Sequence, residues 1–188
     1  MLNLKVVLTS TRPGRVNLPI GNWFLAEALA HGHFAVELVD LAELALPLLD
    51  EAKHPRFAQY EHEHTKRWSA IVSAADAFVF VIPEYNHGMP PALLNALDYL
   101  FHEWAYKPAA FVNYGGVSAG TRSVQMTKPV LTALKMMPIP ESVSIPFFQP
   151  MVEAGVFTPP ESTQKSAVAL LNELERWAAA LKPLRAGK

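Results

Sequence analysis

Apolar and polar positions along the chain follow the pattern of strands that alternate with helices. Short apolar runs rich in β-branched residues and bounded by turn-forming residues predict buried strands. Apolar residues spaced three and four positions apart predict amphipathic helices between them. The predicted strands are residues 4–9, Phe34–Asp40, 77–82, 109–114 and 142–146. The predicted helices are residues 16–31, 61–75, 91–104, a segment ending near Met137, and Glu161–Leu181.

This alternation indicates right-handed βαβ units, and therefore a parallel sheet covered by helices on both faces. Two segments lack a periodic pattern, residues 41–60 and 147–157, and are predicted to be surface connections. The chain shows no internal repeat, low-complexity stretch or linker. We therefore expect one domain that spans residues 1–188, of the α/β class.

Composition narrows the possible functions. A chain of 188 residues suits one domain, and a net charge of −1 predicts neither a nucleic-acid partner nor an anionic membrane surface. The absence of cysteine excludes disulfides, thiolate metal sites and cysteine nucleophiles. The N-terminus enters an apolar strand without the features of a signal peptide, and no apolar run is long enough to cross a bilayer. We therefore expect a cytoplasmic protein.

The loop after the first strand, residues 9–17, is a candidate anion site. It offers the hydroxyl of Ser10 and the guanidinium groups of Arg12 and Arg15 close to a predicted helix N-terminus. Backbone N–H groups and the helix dipole favour an anion there, and arginine binds phosphate through two hydrogen bonds. The loop lacks the glycine patterns of nucleoside-triphosphate and dinucleotide sites. The alternative is a polar turn with a solvated arginine.

Two further loops follow the third and fourth strands. Residues 83–91 are bounded by proline and carry Tyr85 and His87, and residues 114–122 are rich in glycine. Proline and glycine fix the loop shape, and a glycine backbone approaches a ligand closely. Read alone, these are a shaped loop with an exposed histidine and a flexible turn. His87 lacks a second ligand at useful spacing, and we predict no metal site and no catalytic triad in the chain.

The three loops would converge on one site if the strands lie in the order 2-1-3-4-5, because ligands bind beyond the carboxyl ends of parallel strands where the strand order reverses. The residues of these loops resemble those of the NADPH-dependent FMN reductase family, which includes flavin, quinone, azo-dye and chromate reductases. The most specific element is the run Pro83-Glu84-Tyr85-Asn86, with Gly88 and Pro90 after it. The run Pro91-Ala92-Leu93-Leu94-Asn95-Ala96-Leu97-Asp98-Tyr99 continues the match, although Leu94 replaces a usual lysine and Tyr99 a usual tryptophan.

Two other elements support the resemblance, which covers roughly residues 4–147. Ser10 and Arg12 match a Gly-Ser-x-Arg turn in which Thr9 replaces the glycine. Residues 116–120 look like the family's Gly-x-Ser-x-Gly loop. The resemblance implies a three-layer, flavodoxin-like fold with a five-stranded parallel sheet of order 2-1-3-4-5, the order for which flavodoxin itself is an example.

The resemblance also implies a site for FMN. Phosphate contacts would come from Ser10, Arg12 and Asn17, with Arg15 as a possible addition. The isoalloxazine ring would be bordered by Pro83, Glu84, Tyr85, Asn86 and His87, and its other edge would be closed by Gly116, Ser118 and Gly120. No side chain need act as catalytic acid or base, because the cofactor carries the chemistry.

The implied activity is hydride transfer from NADPH to bound FMN and onward to a small acceptor such as a quinone, dye or flavin. One alternative is a flavodoxin-like electron carrier, which the near-neutral charge disfavours. Another is a non-catalytic module that retains the fold without the flavin, supported only by Thr9 and Leu94. The family's habit implies a homodimer or homotetramer. The aromatic residues of the 91–104 segment, Tyr99, Phe101 and Trp104, suit either such an interface or the core.

Overall fold

Five parallel strands form one sheet in the order β2-β1-β3-β4-β5, as predicted. The computed structural model describes residues 1–185. The strands are β1 (Leu2–Leu8), β2 (Phe34–Asp40), β3 (Ala77–Pro83), β4 (Pro108–Gly115) and β5 (Met137–Pro146). Because β1 lies between β2 and β3, the strand order reverses beside β1, where a parallel sheet opens a crevice at its carboxyl edge.

Helices cover both faces of the sheet and give the predicted three layers. They are α1 (Asn17–His31), α2 (Leu41–Leu44), α3 (Glu63–Ser73), α4 (Pro91–Asp98), α5 (Thr121–Ala133) and α6 (Glu161–Leu181). Buried residues of α3, α4 and α5 join one hydrophobic cluster, and those of α1 and α6 join the cluster on the opposite face. A short antiparallel hairpin, β6 (Val152–Glu153) and β7 (Val156–Phe157), follows the sheet.

The central strand β3 is an apolar run without interruption. All seven of its residues are buried. Phe78, Phe80 and Ile82 point into the cluster with α3, α4 and α5, whereas Val79 and Val81 point into the cluster with α1 and α6. Successive residues of a strand point to opposite faces, and both faces of β3 are covered by helices. Residues at every position are therefore apolar.

The predicted helix over residues 91–104 was wrong in length, because α4 ends at Asp98 and a separate 3-10 turn covers His102–Trp104. Two indole groups meet the last turn of α4. Trp68 Nε1 donates to the carbonyl oxygen of Ala96 at 2.8 Å, and Trp104 Nε1 donates to that of Leu97 at 3.2 Å. These bonds supply donors to carbonyl groups that have no helical N–H partner four residues on.

Other boundaries also differ from the sequence prediction. Strand β5 begins at Met137 rather than Ser142, since Pro138 and Pro140 lie on an edge strand, where a missing N–H donor is tolerated. Helix α5 therefore ends at Ala133, short of Met137. The connections predicted without structure contain α2, the 3-10 turns Pro55–Phe57 and Gln149–Met151, and the β6–β7 hairpin.

The aromatic residues after α4 belong mainly to the core. Tyr99 and Trp104 are fully buried, which confirms the core interpretation for these two, and Phe101 packs partly buried against the same cluster. Across residues 1–185, none of the helices combines the length and apolar character needed to cross a bilayer.

Candidate functional site

The loops that leave the carboxyl ends of β1, β3 and β4 converge around one cavity of about 260 Å³. Its lining consists of Ser10, Arg12, Gly14, Arg15, Val16, Pro83, Glu84, Tyr85, Tyr114, Gly115, Gly116 and Phe148. The cavity lies beside β1, at the reversal of strand order, where the sequence pattern places a ligand site.

Most of the predicted site residues meet in this cavity. The lining includes Ser10, Arg12, Arg15, Pro83, Glu84, Tyr85 and Gly116, whereas Asn17, Asn86, His87, Ser118 and Gly120 lie outside it. The sequence prediction missed Tyr114 and Phe148. Tyr114 was named only as the junction of the fourth strand and the third loop, with no role in the site. Phe148 follows β5 and lies in a segment with no recognisable motif, so no sequence signal identified it.

The first turn of α1 presents its backbone donors without a protein cap. Val16 occupies the N-cap position with no side-chain hydrogen bond, and the first turn holds no acidic residue. The first N–H groups of a helix have no partner within the helix, and together with the dipole they favour an anion. The N-terminus of α1 is therefore suited to a negatively charged group.

The two arginines of the first loop differ in their partners. Arg15 forms an ion pair with Asp40, which also caps α2. Arg12 is exposed at the cavity, and its guanidinium group has no hydrogen-bond or ion-pair partner among residues 1–185. Its charge is therefore available to a ligand, whereas the charge of Arg15 is offset by Asp40.

Buried polar groups hold the first loop in place. Ser10 is fully buried, and its Oγ lies 2.6 Å from the hydroxyl oxygen of Tyr85. Asn17 Nδ2 donates to the carbonyl oxygen of Ser10 at 3.4 Å, so Asn17 joins the loop to the start of α1. Thr9 Oγ1 donates to the carbonyl oxygen of Val81 at 2.9 Å. Thr9 therefore ties the end of β1 to β3, which is a structural reason for threonine at this position.

The loop after β3 is a tight hairpin. Tyr85 and Gly88 exchange two backbone hydrogen bonds of 3.0 and 2.9 Å. Asn86 and His87 between them have φ angles of 50° and 67°, the left-handed values required by a two-residue turn of this kind. Asn86 and His87 are exposed and do not line the cavity, whereas Tyr85 does.

Glu84 connects the second loop to the third. Its carboxylate accepts hydrogen bonds from Ser118 Oγ at 2.7 Å, Arg122 N at 3.1 Å and an Arg122 guanidinium nitrogen at 3.0 Å. Burial by itself would raise the pKa of Glu84, but these donors and the Arg122 charge outweigh it and lower the pKa below its usual value. The Ser118 hydroxyl is thus bonded to Glu84 rather than directed into the cavity.

Two glycines of the third loop have different physical roles. Gly120 has a φ of 81°, and a Cβ there would lie 2.8 Å from the carbonyl oxygen of Tyr114, so the fold itself requires glycine. A Cβ on Gly116 would meet no protein atom within 4 Å. Nothing in the fold excludes a side chain at Gly116, and its bare backbone leaves room at the edge of the cavity.

Aromatic side chains form one wall of the cavity. The rings of Tyr114 and Phe148 meet edge to face with centroids 5.2 Å apart. Burial is the main reason that the pKa of Tyr114 is raised, so its hydroxyl stays protonated at neutral pH. The cavity therefore combines a cationic, donor-rich end at α1 with an apolar aromatic end.

A larger cavity of about 500 Å³ lies between α2 and α4. Its lining is mostly apolar, with Thr11 and Asn95 as the polar side chains and no charged residue. It includes the first turn of α4 but has no arginine or other charged side chain in its lining. The smaller cavity is therefore the candidate site for an anionic ligand.

Comparisons with known proteins identify the family and agree with this fold. The family model described as NADPH-dependent FMN reductase matches residues 3–150. An NAD(P)H-dependent FMN reductase of Schizosaccharomyces pombe is 37% identical over 156 residues, which cover 82% of this chain and 78% of that protein. A quinone reductase of Pseudomonas putida is 31% identical over 148 residues, or 74% of this chain and 76% of that protein. The solved structure of FerB, a flavoenzyme NAD(P)H:(acceptor) oxidoreductase from Paracoccus denitrificans, matches 96% of this chain and 98% of its own with a TM-score of 0.76 at 21% identity, which is a likeness of fold.

Proposed function

The chain belongs to the NADPH-dependent FMN reductase family, and we propose that the cavity formed by its three loops binds FMN. The protein is an oxidoreductase that uses NAD(P)H and FMN. The observation that carries the site proposal is the uncapped N-terminus of α1 beside the unpaired Arg12 guanidinium. FMN has one dianionic group, its phosphate, and this end of the cavity offers the donors and the positive charge that a phosphate requires.

The phosphate contacts follow from the first loop. Arg12 supplies the uncompensated charge, and Ser10 supplies a hydroxyl beside the backbone N–H of Arg12. Arg15 lines the same end and contributes less, because Asp40 neutralises it. Asn17 acts behind the loop by holding the Ser10 backbone, and its Oδ1 is a buried acceptor without a partner among the described residues.

The ring would lie against the second and third loops. Pro83, Glu84 and Tyr85 border it from the second loop, and the bare backbone of Gly116 gives room for its edge. Tyr114 and Phe148 add an aromatic wall. Asn86 and His87 shape the hairpin that positions Tyr85, and Ser118 and Gly120 fix the third loop rather than lining the cavity.

When bound, FMN supplies the redox chemistry, accepting a hydride from the nicotinamide and passing electrons to the acceptor. The side chains of this chain bind and orient the groups and exclude water. We propose small quinones and dyes as acceptors, in line with the relatives. The donor is NADPH or NADH, and NADPH is the proposed physiological one.

Reconstitution with FMN tests this function. The purified protein should take up one FMN per chain, and NADPH added under anaerobic conditions should bleach the oxidised flavin. A simple benzoquinone should then restore the flavin colour and be consumed in step with NADPH. Protein that takes up no FMN would refute the proposal. Protein that binds FMN without oxidising NADPH or NADH would instead be an electron carrier.

We also propose a homodimer or homotetramer. The 46–60 segment packs beside α4, where Asn95 bonds to the backbone of Pro47 and Leu49. It exposes 83% of Leu48 and 54% of Phe57, apolar area that a second copy would bury. Light scattering on the wild type and a Leu48→Glu variant tests the oligomeric state. The variant should dissociate if the 46–60 segment forms the interface.

A cytoplasmic location is proposed as well. The chain contains no cysteine, so its stability takes no support from the disulfides that oxidising compartments favour. Fractionation of cells that express the native chain, with detection by antibody, tests this location.

A further inference from the structure

Two histidines and a carboxylate converge on the surface at the end of α1. His31 is the last residue of α1, His33 follows the left-handed cap residue Gly32, and Glu175 projects from α6. Each offers one ligand atom, and these three atoms all lie within 4.8 Å of one another. His33 Nδ1 lies 2.7 Å from Glu175 Oε2, and the two imidazole rings have centroids 4.6 Å apart.

The hydrogen bonds of His31 leave coordinating capacity unused. Its Nε2 lies 3.0 Å from the side-chain oxygen of Asn172. In the neutral ring, an Nε2 that donates to this amide oxygen leaves the lone pair on Nδ1. Nδ1 is buried and has no hydrogen-bond partner among the described residues. A buried ring nitrogen without a partner calls for an explanation, and a bound ion is one of the standard ones.

We propose that His31, His33 and Glu175 form a binding site for a divalent late first-row transition metal ion, of which Zn²⁺ is the natural probe. Two imidazole nitrogens and one carboxylate oxygen are a ligand set that suits zinc and its neighbours and does not suit Mg²⁺ or Ca²⁺, which prefer oxygen alone. Exposure of His33 and partial exposure of Glu175 leave an entry path and allow small rotamer changes to bring the ligands to bonding distance.

The site would join elements that are distant in sequence. His31 and His33 both precede β2, whose first residue pairs with Leu2 of β1, so the site lies at the amino ends of these strands and the cavity at the carboxyl ends. Glu175 lies 142 residues after His33. A metal ion bound there cross-links α1 and the start of β2 to α6, and it stabilises the folded chain because the unfolded chain does not hold these ligands together.

Zinc titration of the full chain tests the proposal. The protein should carry no histidine tag and should be treated with a chelator before calorimetry with Zn²⁺ alone. The wild type should bind one equivalent, and Zn²⁺ should raise its thermal midpoint. His33→Ala and Glu175→Gln should each weaken zinc binding by roughly tenfold or more, since each removes one ligand. Both positions are surface-exposed or partly so, and far-ultraviolet circular dichroism checks that each variant is folded.

A matched control lies elsewhere on the surface. His64 contacts Asp50 at 3.0 Å and stacks on His62, so it also presents imidazole beside a carboxylate. His64→Ala should leave zinc affinity and stoichiometry unchanged, and Mg²⁺ should neither bind nor shift the midpoint of the wild type. The proposal is overturned if the wild type binds no zinc equivalent, if His33→Ala binds zinc as the wild type does, or if His64→Ala removes the bound equivalent.

Discussion

The hydroxyl oxygens of Ser10 and Tyr85 lie 2.6 Å apart, although 75 residues separate them along the chain. This contact joins the loop after β1 to the hairpin after β3, the two parts of the site that carry the most specific sequence features. Both hydroxyl groups line the cavity. The contact therefore fixes the distance between the cationic end of the cavity and one side of the proposed ring site.

Removing either hydroxyl should reveal the coupling between these loops. Tyr85→Phe and Ser10→Ala should each lower the free energy of unfolding of the flavin-free protein by about 0.5–1.5 kcal/mol. The double variant should lose less than the sum of the two, because both changes remove the same contact. Urea unfolding of the four proteins measures this, and strictly additive losses would show that the contact does not exist in solution.

Arg12 should contribute to FMN affinity and not to the stability of the fold. Its guanidinium has no protein partner among the described residues, so Arg12→Ala should leave the free energy of unfolding unchanged within about 0.5 kcal/mol. FMN binding should weaken by about 1–3 kcal/mol for the lost charged hydrogen bond. Fluorescence titration measures the affinity. Arg176→Ala, a surface arginine on α6 paired with Glu173, is the control and should bind FMN as the wild type does.

Gly116 and Gly120 should respond in opposite ways to the same substitution. Gly120→Ala should destabilise the protein by about 1–3 kcal/mol, because the new Cβ meets the Tyr114 backbone in a strained conformation. Gly116→Ala should change stability by less than about 0.5 kcal/mol, since its Cβ meets no protein atom. Gly116→Ala should instead lower FMN affinity, and Gly116→Leu should lower it further. Equal effects on FMN binding and stability at Gly116 would contradict this assignment.

The pH dependence of stability should report the Glu84 contacts. The pKa of Glu84 is lowered in the folded protein, because hydrogen bonds from Ser118 and Arg122 and the Arg122 charge outweigh the effect of burial. The carboxylate therefore stabilises the fold above its unfolded pKa of about 4.3, and this contribution is lost as the pH falls through the lower folded value. The gap between the urea midpoints of wild type and Glu84→Gln should be constant from pH 7 to 6 and should shrink below pH 4. A gap independent of pH would contradict these contacts.

Much of the fold could be predicted from the sequence, because the strongest signals come from burial. The run 77–82 is apolar without interruption because β3 is covered on both faces, and the spacing in α6 follows one buried face. The errors arose where side chains from distant elements decide the outcome. The indoles of Trp68 and Trp104 bond to the last carbonyl groups of α4, and nothing within residues 91–104 signals the contact from Trp68.

The candidate site likewise has features that the sequence predicted and features that it did not. The sequence identified the three loops and seven of the residues that line the cavity, including Ser10, Arg12 and Tyr85. It did not show that Arg15 is paired with Asp40 or that Ser118 is bonded to Glu84, because both contacts depend on loop geometry. Phe148 carries no local motif, and the spacing of His31 and His33 gives no sign of Glu175. Their partners lie far away in sequence, so only the folded chain brings them together.

The comparison of FMN with riboflavin tests the central claim most directly. The two ligands differ only in the phosphate, so the ratio of their dissociation constants isolates the contribution of Arg12 and the N-terminus of α1. Wild-type protein should bind one FMN and should bind riboflavin roughly 10- to 1,000-fold more weakly, as one or two charged hydrogen bonds imply. Arg12→Ala should reduce that ratio. Equal affinity for FMN and riboflavin, or binding of neither, would contradict the assignment of this cavity as the FMN site.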